Sequence, residues 1–108
     1  AINVLNQYKG KRYLVLGDMG ELGQTSFQFH IDAGVLAKQA GVDKLFTIGE
    51  LTSNTAQSFG NNASHFESHD ALIKTLSNYL DKDTTVLVKG SRAMQMERIV
   101  NALTEGQE

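Results

Sequence analysis

The chain has 108 residues, 41% hydrophobic and 20% charged, with a net charge of -2 and no cysteine. This is enough for one domain around one core. The missing cysteines exclude disulfides, thiol catalysis and thiolate metal sites, and the mixed charges offer no basic cluster for nucleic acid or an anionic membrane. No apolar run is long enough to cross a bilayer.

Along the chain, Ile2, Val4, Leu5 and Tyr8 have helical spacing over residues 1–8. The pattern is already running at Ala1 with no capping residue before it, so we expect a chain cut from a longer protein. Gly10 can end this helix. Residues 12–16 form a near-continuous apolar run, which predicts a strand buried on both faces of a parallel sheet. A helix capped by Thr25 or Ser26 follows to about residue 40, with Phe27, Ile31, Val35 and Leu36 as its apolar face and Gly41 as its stop. Residues 44–48 (KLFTI) read as a second strand. A helix over 51–59 with a cap at Thr52 or Ser53 comes next, then a turn at 60–62 and a short strand at 63–66. Ser68 caps a helix to residue 80 with Leu72, Ile73, Leu76, Tyr79 and Leu80 inward. Residues 84–88 form the fourth strand. Ser91 then caps a last helix through residue 103, with Met96, Ile99, Val100 and Leu103 inward.

Strands alternating with helices call for a parallel sheet with right-handed crossovers. The predicted class is α/β: a Rossmann-like three-layer sandwich with a mostly parallel sheet and helices on both faces. In the half-Rossmann arrangement the third strand lies outside the second, the second beside the first, and the fourth on the first strand's other side. The switch point falls between the first and fourth strands, where open α/β sheets bind ligands. Two loops then meet there: 17–23, GDMGELG, and 89–92, KGSR.

The first loop does not have the GxGxxG spacing of a dinucleotide cradle. Asp18 and Glu21 would repel a bare phosphate but suit Mg²⁺ or an ammonium group. The plainer reading is that both complement the positive end of the helix that follows. The second loop is its opposite. A glycine after a strand, a serine at a helix start and two cations make an anion site, with Lys89 as a point charge and Arg92 as a planar fork. Here the plainer reading is a solvated turn with one useful cap. A small zwitterion could place its ammonium on Asp18 or Glu21 and its carboxylate on Ser91 or Arg92. His30, one helical turn past Ser26, is a candidate proton carrier or hydrogen-bond partner, although a lone helical histidine is more often structural. His65 and His69 are four apart but separated by a strand end and the Ser68 cap. With no cysteine and no third ligand nearby they make a poor zinc site. Met94 and Met96 read as core and edge filling. There is no Gly-x-Ser-x-Gly elbow, P-loop or HExxH motif.

At these residues the chain resembles the C-terminal domain of a Mur ligase, in the branch that adds D-alanyl-D-alanine. Three pieces carry the resemblance: LGDMGELG at 16–23, with Ser26, His30 and Gly34 following; VLVKGSR at 86–92; and Met96, Glu97 and Val100 beyond it. AINVL at the start resembles the segment just after the family's inter-domain boundary, so the resemblance covers nearly the whole chain. It implies a three-domain cytoplasmic enzyme of peptidoglycan synthesis, of which residues 1–108 are the C-terminal domain without the N-terminal and central ATP-binding domains. The first domain of such an enzyme holds UDP-N-acetylmuramoyl-tripeptide, and the central one binds ATP and Mg²⁺. The peptide carboxylate is phosphorylated, and the amine of D-alanyl-D-alanine attacks the acyl phosphate. By the same resemblance Asp18, Glu21, His30, Lys89, Gly90, Ser91 and Arg92 would line this domain's face of the closed cleft.

Two other readings compete. A receiver-type signalling domain also has an aspartate at one strand end and a lysine at another, but its acidic pair is missing here, since Leu16 and Gly17 precede a single Asp18. A non-catalytic interaction module would use the same loops only as caps. Within the ligase reading, the chain lacks a GKT or GKS motif to cradle a triphosphate. The 108-residue chain alone is therefore expected to have no ligase activity, and ATP-dependent amide formation by the purified chain would refute this.

Overall fold

The apolar run near the start of the chain becomes one of the two interior strands of the sheet. The computed structural model describes residues 10–19 and 25–105; the helix expected over 1–8 lies outside them. Strand β1 is Lys11–Gly17, followed by helix α1 (Ser26–Gln39), β2 (Lys44–Ile48), α2 (Thr52–Phe59), β3 (Ala63–Phe66), α3 (His69–Ser77), β4 (Thr84–Lys89), a 3₁₀ turn (Arg92–Met94) and α4 (Glu97–Glu105). The sheet order is β3-β2-β1-β4, with every pairing parallel. This is the predicted order, with the predicted switch point between β1 and β4. Leu16 of β1 faces Thr47 of β2 on one side and Lys89 of β4 on the other.

Side chains on β1 alternate between two cores, as strand geometry requires. Leu14 and Leu16 pack with Ala33, Ala37, Val42, Leu45 and Phe59 beneath α1 and α2. Tyr13 and Val15 pack on the other face with Phe46, Leu72, Leu76 and Ile99 beneath α3 and α4. All four β1 residues from Tyr13 to Leu16 are buried. Strand β4 is half-buried along its length, as befits an edge.

The amino end of the sheet is held by polar contacts. Arg12 N donates to Asp43 Oδ2 at 2.8 Å, Asp43 N returns a bond to Arg12 O at 2.8 Å, and Arg12 Nη2 reaches Gly41 O at 2.8 Å. Helix α1 ends in a Schellman motif, with Gly41 N bonded to Lys38 O and Val42 N to Ala37 O. Lys11 Nζ donates to Asp81 Oδ2 at 2.9 Å. That bond raises the Lys11 pKa and, with Asp83 N–H and the Thr84 hydroxyl, lowers that of Asp81. Both side chains are solvated, so the pair adds little stability.

The inward face of α1 is not the one its apolar periodicity predicts. Phe27, Val35 and Leu36 are exposed, whereas His30, Ala33, Gly34 and Ala37 are buried. The cause is close helix packing. A Cβ at Gly34 would collide with Ser58 Oγ and the Thr55 carbonyl of α2. Thr55 Oγ1 donates to His30 O at 2.6 Å and Ser58 Oγ to Ile31 O at 2.8 Å. Two helices this close admit only small residues between them, so the larger apolar side chains turn outward.

Helix α3 stops at Ser77, short of residue 80, as Asn78 and Tyr79 turn back onto Thr75 and Leu76 with 3₁₀ bonds. Its cap is the expected one: Ser68 Oγ accepts from Ala71 N at 3.1 Å. Tyr79, expected inward, is exposed and lies under Lys44 Nζ, 4.5 Å from its ring centroid. Val100 of α4 is likewise exposed.

Unfolding measurements should separate the two kinds of apolar residue. Leu76→Ala is expected to cost about 2–5 kcal/mol, the range for emptying a packed core site. Leu36→Ala should change stability by less than about 1 kcal/mol, and Gly34→Ala should destabilise despite alanine's better helix propensity.

Candidate functional site

Helix α2 begins without a cap of its own. Leu51 occupies its N-cap position and offers no side-chain acceptor, which would leave first-turn N–H groups without partners. Asp18, just past β1, supplies the acceptors from the neighbouring loop. Leu51 N donates to Asp18 Oδ2 at 3.0 Å and Thr52 N to Oδ1 at 2.9 Å. The carboxylate also complements the positive end of α2. Helix capping is thus what Asp18 does, but for α2 and not for the α1 that follows it in sequence. Gly49 permits this approach: it sits at φ 116°, and a Cβ there would collide with the Asp18 carboxylate.

The Asp18 main chain bonds the other way. Its carbonyl accepts from Ser91 N at 3.0 Å, which joins the loop after β1 to the loop after β4. Met96, only 6% exposed, fills the space beneath both strand ends. A Cβ on Gly17 would lie 2.6 Å from Met96 Sδ, and one on Gly90 2.6 Å from Met96 Cγ. Gly17, Asp18, Lys89, Gly90 and Ser91 therefore converge at the switch point, with Arg92 exposed on the turn that follows.

His30 holds this arrangement from beneath. It is fully buried, Met19 N donates to its Nε2 at 3.1 Å, and Nδ1 is 2.6 Å from Ser26 O. A backbone carbonyl only accepts and a backbone N–H only donates, so Nδ1 carries the proton and Nε2 is the acceptor. With both nitrogens taken up by backbone, His30 anchors the loop and does not face solvent. Glu21 lies outside the described residues.

The KGSR segment departs from its predicted form. Ser91 precedes a three-residue 3₁₀ turn, makes no side-chain capping bond, and is not the start of the last helix. Gln95 reverses the chain at φ 50°, and α4 begins only at Glu97. The reversal brings Met96 under the glycines. Of the features that predicted an anion site here, the structure keeps the two cations but not a long helix's dipole. Among the described residues the sole ion pair is Lys11–Asp81, so neither Lys89 nor Arg92 is neutralised by a carboxylate there.

A groove of about 560 Å³ opens beside this point, over the ends of β2 and β3, lined by Glu50, Ser53, His65, Glu67 and His69. His65 Nδ1 is 2.7 Å from Thr47 Oγ1, and His69 Nε2 is 2.6 Å from Met94 O. Among the described residues no three histidine, aspartate or glutamate side chains converge as a metal site. Sequence reasoning missed Glu50, Ser53 and Glu67. For Glu50 and Glu67 the available signal was their position just after strands, the same rule that singled out 17–23; Ser53 lies inside α2 and carried no such signal.

A profile of the family described as Mur ligase, glutamate ligase domain, matches residues 1–92. The UDP-N-acetylmuramoyl-tripeptide–D-alanyl-D-alanine ligase of Buchnera aphidicola subsp. Acyrthosiphon pisum is 40% identical over 105 residues, covering 95% of this chain and 23% of that protein. Among solved structures, MurF from Acinetobacter baumannii superposes with a TM-score of 0.86 at 29% identity, over 96% of this chain and 24% of its own. MurF ligase from Thermotoga maritima, in complex with ADP, gives 0.77 at 27% identity, over 94% and 23%. The chain thus spans about a quarter of the length of these proteins.

The Asp18 cap is open to a direct test by denaturant unfolding. Asp18→Ala should destabilise the domain by about 1–2 kcal/mol, the usual cost of removing a helix cap. Asp18→Asn, which keeps one acceptor oxygen, should cost less.

Proposed function

The chain belongs to the Mur ligase family, and on that premise we propose that it is the C-terminal domain of an ATP-dependent ligase that joins D-alanyl-D-alanine to UDP-N-acetylmuramoyl-tripeptide. In the proposed reaction ATP phosphorylates the peptide carboxylate. The dipeptide amine then attacks the acyl phosphate, giving the amide, ADP and phosphate. The observation that carries this reading, beside the family, is the Ser91–Asp18 bond. It sets an acidic loop and a cationic loop side by side at the carboxyl ends of β1 and β4, where an incoming zwitterion meets both signs of charge.

In this reading Lys89, Ser91 and Arg92 meet carboxylate or phosphate oxygens, and Gly90 lets the backbone come close. The 18–21 loop meets the ammonium of the dipeptide. Glu21 acts there together with the lone pairs that the two amide bonds leave open on Asp18, while His30 keeps the loop in place. ATP fits the cation pair by charge. Mg²⁺ finds no ligand set among the described residues, so the proposal assigns it to the nucleotide and the central domain. Placing half of the site on a separate domain lets closure exclude water from a hydrolysable acyl phosphate. No helix among the described residues is long and apolar enough to cross a membrane, and a cytoplasmic location belongs to the same proposal.

In the full-length ligase, Arg92→Ala should lower kcat/KM for ATP or for D-alanyl-D-alanine by about 10- to 100-fold, the loss expected for a charge-assisted hydrogen bond. Unchanged values for both substrates would overturn the role given to Arg92. Failure of the wild-type enzyme to release ADP in response to the tripeptide and D-alanyl-D-alanine would overturn the ligase reading itself.

A further inference from the structure

The turn that follows β4 is short, non-helical over most of its length, and reversed at a non-glycine residue with positive φ, Gln95. Such a turn needs outside support to hold one conformation. Two of its bonds are internal: Met94 N to Ser91 O at 3.0 Å and Gln95 N to Arg92 O at 3.1 Å. Two come from elsewhere in the fold. Ser91 N reaches Asp18 O, and at the far end the Met94 carbonyl meets His69 Nε2 at 2.6 Å. His69 is the first residue of α3, and the Ser68 cap fixes the backbone that carries it.

We propose that His69 is a positioning residue: its Nε2–H clamps the Met94 carbonyl and so sets the conformation of the turn that presents Lys89, Ser91 and Arg92. The catalytic consequence rests on the ligase reading above; the clamp itself does not. A carbonyl can only accept, so Nε2 carries the proton in the neutral ring as well as in the protonated one. The other nitrogen, Nδ1, has no bond to a described residue and is not needed for this role.

The test uses the full-length ligase with His69→Ala, His69→Asn and His69→Gln. A glutamine amide nitrogen can reach the place of Nε2, whereas that of asparagine falls short. Amide hydrogen exchange at Met94 and Gln95 should speed up in the alanine and asparagine variants and stay near wild type in the glutamine variant. The kcat/KM for ATP or D-alanyl-D-alanine should fall about tenfold in the first two, the effect of one lost hydrogen bond, and stay within about threefold in the third. Unchanged exchange in His69→Ala would overturn the clamp. Faster exchange with kcat/KM within twofold would overturn its positioning role, as would equal losses in the alanine and glutamine variants. If the wild-type enzyme shows no ligase activity, the ligase reading falls, and the exchange measurements still decide whether His69 clamps the turn.

Discussion

Asp18 bonds in two directions at the end of the central strand. Its carboxylate accepts from the amides of Leu51 and Thr52 at the start of α2, and its carbonyl accepts from Ser91. Three loops, those after β1, β2 and β4, are thereby joined through one residue. Replacing the carboxylate would leave two helix-end donors without their partners, and the cost of unmet donors exceeds the net gain of an ordinary hydrogen bond. Both sides of the switch point depend on this residue, because the loop that carries the cations is registered against the same main chain.

Support for the site comes from beneath as well as from the side. His30 fixes Met19 to the first turn of α1, and α1 is in turn bonded to α2 through the Thr55 and Ser58 hydroxyls. The two helices can approach that closely because Ala33, Gly34 and Ala37 present little bulk. Tight packing on that face thus reaches the site through two routes: α2, whose first turn Asp18 caps, and His30, which anchors the loop containing Asp18. On the opposite face Met96 is the corresponding piece, filling the space under Gly17 and Gly90 from the start of α4.

Much of this was legible in the sequence, and the parts that were not share a cause. Strand order and the switch point followed from the apolar runs and the handedness of crossovers, both of which act over whole elements. The meeting of loop 17–23 with loop 89–92 was expected from that topology alone, and in the described part of the two loops Ser91 bonds Asp18. What escaped was set by non-local contact. Local reasoning pairs Asp18 with the helix that follows it, but the amides it caps lie 33 and 34 residues away. Periodicity selects Phe27, Val35 and Leu36 as the inward face of α1, but a helix pressed against another helix buries its small residues instead. Ser91 has the composition of a cap, yet α4 starts at Glu97 because the chain must first bring Met96 beneath the glycines.

The late start of α4, at Glu97, bears on the electrostatics of the KGSR loop. A helix beginning directly after KGSR would have offered an anion aligned amides and a dipole. A three-residue turn offers much less, so discrimination between ligands shifts to the side chains. Lys89 is half-buried at the end of the edge strand β4, its backbone paired with Leu16 of β1. Arg92 is exposed on the turn. The two cations therefore differ in setting, Lys89 on a paired strand and Arg92 on the turn beyond it. The conformation of the turn that carries Arg92 therefore rests on contacts at its two ends, the Ser91–Asp18 bond and the His69–Met94 contact.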